Sequence, residues 1–283
     1  MESALRISWG ADSLVTPCFP FGFSQINWQI THLFVSLASP KILPFGFSQI
    51  NLVNHSLIRI FARKTLLEVM QENLTPPPMP RFSETVIVMD ANYVDSVAYD
   101  FIANLENDLK RRVPDCDLCT FLLCNALDGG VTEGNKEVQV VMVCRKGETQ
   151  MGHLVPHNLR QEVDGFAFND SHLGEFQMMV VEEEEEDIMA GESLYVQVTR
   201  VALSSRDIKR LILVADWTEM KDDVCDEIED AQEACEQANE SLGKEIVVIT
   251  TGRDLEVPAG CRAVQMGYAM LHCLGVTEEE LNK

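Results

Sequence analysis

Thr85-Val86-Ile87-Val88-Met89-Asp90-Ala91-Asn92-Tyr93-Val94-Asp95 is the stretch whose reading decides the fold. Four apolar residues, three of them β-branched, run into an aspartate, and a helical pattern begins within a few residues. An apolar run that does not alternate suits a strand buried on both faces, as in a parallel sheet covered by helices. Such sheets bind ligands beyond the carboxyl ends of their strands, which is where Asp90 falls.

The pattern continues outward from that strand. Val94, Val97, Ala98, Phe101, Ile102, Leu105 and Leu109 recur at helical spacing, with Asp95 or Ser96 as the expected N-cap. A second helix is expected over about 115–127 and is stopped by Asp128-Gly129-Gly130; this pair of glycines suits a C-cap and turn better than a phosphate cradle. Glu137 to Cys144 reads as the next buried strand, so two helices form the crossover that parallel pairing needs.

Residues 147–192 are irregular, with Phe176–Val181 and Leu194–Val201 expected to pair as a hairpin around an exposed acidic turn, Glu182 to Asp187. Five glutamates in a row could hold calcium or a basic partner, but a solvated loop is the plainer reading. Regular structure resumes with Leu211–Ala215, a strand ending at Asp216, and with a long helix over roughly 219–242 that Gly243 would cap. Glu245–Thr250 makes a further strand leading to Asp254, Arg262–Met266 a short last one, and Tyr268–Leu274 a helix. Thr277-Glu278-Glu279-Glu280 has the form of a capping box. The class is therefore α/β: a mostly parallel Rossmann-like sheet flanked by helices, with an irregular β insertion.

Composition narrows the function. The chain has 283 residues and a net charge of −23; residues 1–78 hold five basic and four acidic residues, and the other 17 basic and 41 acidic residues give 79–283 a charge of −24. Such a surface repels polyanions at long range. No apolar run reaches about 18 residues and no export signal is evident, so nine cysteines read as reduced thiols in a cytoplasmic protein. Residues 1–78 read as a poorly structured or spurious extension, in which Pro20–Asn27 recurs identically as Pro44–Asn51 and 57–70 has amphipathic helical spacing; 79–283 reads as a single α/β domain.

Neither G-x-G-x-x-G nor G-x-x-x-x-G-K-S/T occurs, so the usual nucleotide-phosphate signatures are missing. Three acids remain at strand ends: Asp90, Asp216 and Asp254. If their strands are neighbours, the carboxylates converge as ligands for Mg²⁺ or Mn²⁺, and such ions activate water for phosphodiester cleavage. Each acid also has a plainer reading, as a helix cap or a turn residue. A zinc site is an alternative built on Cys116, Cys119, His153 and His157, although the apolar pattern around the cysteines suits a core.

Val86-Ile87-Val88-Met89-Asp90-Ala91-Asn92 resembles the first strand of the PIN-like nucleases, especially their NYN branch, and Leu211–Asp216 is similar to that superfamily's later acidic strand. The resemblance covers residues 82–144 and 205–255. It implies a divalent metal and RNA cleavage, with Asp90 and Asp216 in catalytic roles and Asp254 or Asp95 beside them. The chain departs from the family in setting Asp90 and Asn92 two apart rather than three, and in having Ala215-Asp216-Trp217-Thr218-Glu219 where the family carries S-G-D-x-D-F. A vaguer likeness, to an uncharacterised Bacteroides-type family of unknown function, implies no activity. Two expectations follow: a catalytically silent module that binds a protein partner or small ligand, or a metal-dependent ribonuclease acting on RNA.

Overall fold

The computed structural model describes residues 82–132, 137–185, 191–252 and 256–281. The readings placed on residues 1–78, the duplicated octapeptide among them, lie outside the described residues, as does Asp254.

In chain order the elements are β1 (Thr85–Asp90), α1 (Ala91–Leu109), β2 (Cys116–Asp117), α2 (Leu118–Asp128), β3 (Glu137–Cys144), β4 (Leu154–Val155), a π turn (Leu159–Val163), β5 (Ala167–Asp170), β6 (Gly174–Glu182), α3 (Leu194–Ser204), β7 (Arg210–Val214), α4 (Trp217–Gln237), β8 (Glu245–Thr250), β9 (Cys261–Gln265), α5 (Gly267–Cys273) and α6 (Glu278–Leu281). Seven strands form one sheet in the order β5-β6-β3-β1-β7-β8-β9, and β2 and β4 form a separate two-stranded ribbon. Every pairing in the large sheet is parallel except β5 with β6.

β1 is the middle strand, flanked by β3 and β7, and its six residues are all buried. Side chains alternate across a strand, so this one run feeds two cores. Ile87 and Met89 join the core under α1, α2 and α5. Val86 and Val88 join the one under α3 and α4. β1 is followed by helices on one face, whereas β7 is followed by α4 on the other, so the sheet's winding reverses between β1 and β7.

Several expectations change. Leu194–Val201 is not a strand but most of α3, and Phe176–Val181 lies in β6 without any hairpin between them. Both edges of β6 are taken, by β3 in parallel and by β5. The chain must then cross to β7, three places along the sheet, and a parallel crossover is made by a helix. Ser193 starts it by accepting the Tyr195 N–H, and tertiary burial overrides the β-branched composition. The acidic run begins as the end of β6, with Glu185 paired to Lys146 at 2.5 Å; 186–190 lie outside the described residues. Ala238, rather than Gly243, caps α4. The glycines after α2 serve packing and a turn. A Cβ on Gly129 would stand 2.2 Å from Cδ1 of Ile212, and Gly130 has φ +83°.

Arg200 fastens α3 to α4. Its guanidinium donates to Glu227 at 2.7 and 2.6 Å and also pairs with Glu192. Truncating Arg200 to Ala is expected to cost about 1–2 kcal/mol in urea unfolding, because a bidentate charged contact within a network is stronger than an isolated surface pair.

Candidate functional site

β1, β3 and β7 end at the same level. Asp90 stands opposite Val143 of β3, and Met89 opposite Val214 of β7, which places Asp216 just beyond the neighbouring strand. The strands that lead to Asp90 and Asp216 are neighbours, as the convergence of these acids requires, and the Asp216 charge is felt at Asp90.

Both acids are also helix caps. Asp90 accepts the Tyr93 N–H at 3.0 Å and starts α1, the place expected of Asp95 or Ser96. Asp216 accepts the Thr218 N–H at 2.8 Å and starts α4. Their surroundings differ, since Asp90 is buried and Asp216 partly exposed. Burial raises the Asp90 carboxyl above the ordinary aspartate value. The Tyr93 amide, the Arg145 charge and the Asn92 amide pull it back, and Asp216 adds a further upward push.

The other polar residues of the opening stretch hold neighbouring loops. Asn92 accepts the Arg145 N–H at 2.7 Å and donates to the Glu148 carbonyl at 3.0 Å, tying α1 to the turn after β3. Asp95 accepts three backbone N–H groups, from Gly152 at 3.0 Å, His153 at 2.7 Å and Leu154 at 3.1 Å. Tyr93 reaches toward β8, with its hydroxyl 3.1 Å from the Thr250 and Thr251 hydroxyls.

A small pocket opens beside Asp90 on the α3–α4 side. Its polar lining is Asp90, Arg145, Glu183, Ser193 and Tyr195, with Met220, Val143 and Cys144 completing it. The cavity is about 30 Å³, room for a water molecule or two or the end of a larger ligand. Tyr195 is buried like Asp90 and donates to the Val88 carbonyl at 3.4 Å; burial, and then the Asp90 charge, push its phenol well above the usual range. Arg145, Glu183, Ser193 and Tyr195 were all missed in the sequence. The rule that picked out Asp90 and Asp216 applies equally to the residues just past β3 and β6, which are Arg145 and Glu183. Tyr195 was hidden by the strand assignment.

Among the described residues, no three His, Cys, Asp or Glu side chains are grouped so as to hold a metal ion. The zinc alternative fails on side-chain direction. The β2–β4 ribbon does bring Cys116 to His153, whose carbonyl accepts the Cys116 N–H at 2.8 Å. The Cys116 thiol, however, lies in the core against Cys273, and Cys119 is held protonated by burial, its thiol pushed up to about 11. Asp115, rather than a thiol, lies between the two imidazoles, at 3.7 Å from His153 and 3.9 Å from His157.

The raised Asp90 carboxyl has a signed consequence. The folded chain holds this proton more tightly than the unfolded chain, so the contribution to stability falls as pH rises from the ordinary value of 3.8 through the folded one. Above that window the buried charge is a constant cost. Asp90→Asn keeps an oxygen for the Tyr93 N–H and removes the charge. Its melting temperature at pH 7 is expected to exceed the wild type's, with the gap closing as pH falls toward 3.8; a lower value at pH 7 would refute the assignment.

Residues 79–281 match a sequence family described as "Family of unknown function (DUF6621)". No curated protein and no solved structure is detectably similar to the chain. Among the described residues, no helix is long and apolar enough to cross a membrane.

Proposed function

We propose a binding role without catalysis for this chain, which belongs to the DUF6621 family of unknown function: it holds the polar end of a small ligand at the C-terminal edge of β1 and β3. The supporting observation is the pocket itself. It gathers both signs of charge and two hydroxyls, from Asp90, Glu183, Arg145, Ser193 and Tyr195, next to the reversal between β1 and β7. In open parallel sheets this crevice is the ordinary ligand site. A ligand with a donor or cationic group for Asp90 and an acceptor for Arg145 would complement it. Keeping a carboxylate buried there costs stability, a pattern common where a group serves a site.

The silent reading also draws on how the acids are used. Asp90 and Asp216 cap helices, Asn92 clamps a turn, and Asp95 accepts three backbone amides. The −24 charge of 79–283 disfavours RNA as a ligand. A thermal-shift screen of the twenty amino acids and the common nucleosides tests the proposal. At least one is expected to raise the melting temperature of the wild type and to leave Arg145→Ala unmoved. If none does, or if the shift survives that substitution, the pocket is not the site.

One observation favours a second reading, a PIN/NYN-like ribonuclease using Mg²⁺ or Mn²⁺: Asp90 and Asp216 stand at the same edge of paired strands, and the Asp216 charge is felt at Asp90. In that reading Asp90 and Asp216 would be the residues that hold the ion, and the ion when bound would supply Lewis acidity for water attack on a phosphodiester.

A further inference from the structure

We propose that Cys116 and Cys273 form a disulfide that staples helix α5 to strand β2. Their sulfurs are 2.7 Å apart, and both residues are buried. That separation is too short for two thiols resting against each other, and the remaining approach to a bond of about 2.0 Å is small. The backbone fixes both partners independently. Cys116 is held by the pairing of β2 with β4, with its N–H on the His153 carbonyl. Cys273 ends α5, whose Ala269, Met270 and Cys273 are buried in the core that also takes Cys116, Phe121 and Leu122. The sequence reading placed Cys116 with Cys119, His153 and His157 in a candidate zinc set and did not pair it with Cys273.

The bond needs an oxidant, and oxidised glutathione supplies a balanced route. The Cys273 thiol loses its proton and attacks one glutathione sulfur, releasing one glutathione thiolate and leaving a mixed disulfide. The Cys116 thiolate then attacks the Cys273 sulfur and releases the second glutathione. Two protons and two electrons leave the protein, and one oxidised glutathione becomes two reduced ones. The neighbouring Cys116 sulfur, and then burial, push the Cys273 thiol up, so thiolate is scarce once α5 is docked. Oxidation therefore belongs to folding, before this seven-residue helix closes over its partner.

The test is refolding of the full chain from denaturant in a glutathione redox buffer, followed by alkylation, digestion without reductant and peptide mass spectrometry. The expected result is a linked peptide pair carrying Cys116 and Cys273. The oxidised protein is also expected to melt roughly 5–10 °C above the same protein reduced, because the bond closes a long loop in the unfolded chain. That gap should vanish in Cys273→Ser. Recovery of Cys116 and Cys273 as separately alkylated peptides, or joined to other cysteines, would overturn the proposal.

Discussion

Asp95→Ala is expected to destabilise the protein by about 2–4 kcal/mol, a large effect for a partly exposed residue. One carboxylate accepts the amides of Gly152, His153 and Leu154, and these three residues lead into and begin β4. Hydrogen bonds to a charged acceptor contribute about 1.5–3 kcal/mol each, less when they share it and when water can reach the freed amides. The urea midpoint should fall by roughly 1 M at unchanged slope. Asp95→Asn should lose about half as much, because one oxygen can still serve His153 and Leu154 while the amide nitrogen faces the Gly152 N–H. The outcome also separates two roles for this acid. A carboxylate kept for a metal would be neutral or costly to the metal-free fold, and its removal would leave stability level or higher.

The second large effect is at Tyr195. Tyr195→Ala is expected to cost about 3–5 kcal/mol, since it removes a buried ring from the core shared by Val86, Val88, Leu213 and Val248. It also removes the hydroxyl that donates to the Val88 carbonyl of the central strand. Tyr195→Phe keeps the ring and should cost about 1 kcal/mol. Equilibrium unfolding of the pair therefore divides packing from hydrogen bonding. Because Tyr195 also lines the pocket beside Asp90, Tyr195→Phe is the gentler substitution for asking whether the phenol contacts a ligand.

The central strand was legible because its apolar run has no polar break, and only a doubly covered strand tolerates that. α1, β3, β7, α4 and β8 were legible for related reasons: long periodic or continuous apolar segments leave few alternatives. α3 was not. Leu194–Val201 is rich in β-branched residues, and it is a helix because of where the chain must go after β6, a fact about topology that its own residues do not carry. The site divides in the same way. Asp90 and Asp216 could be found from strand ends, and their adjacency follows from β1 pairing with β7. Arg145 and Glu183 obey the same rule, but a lone arginine and one glutamate of a five-glutamate run form no metal-ligand pattern in the sequence. Tyr195 depends on the crossover of α3, and Cys116 meets Cys273 across 157 positions, a contact that no local pattern encodes.

On the proposed function, the acids at the end of β1 serve the scaffold and a ligand pocket and do not cut RNA. That reading is tested most directly by incubating the full chain with fluorescently labelled single-stranded RNA in MnCl₂, with Asp90→Asn run beside it. Cleavage no faster than in buffer alone is expected for both proteins. Manganese-dependent cleavage by the wild type that Asp90→Asn abolishes would contradict it.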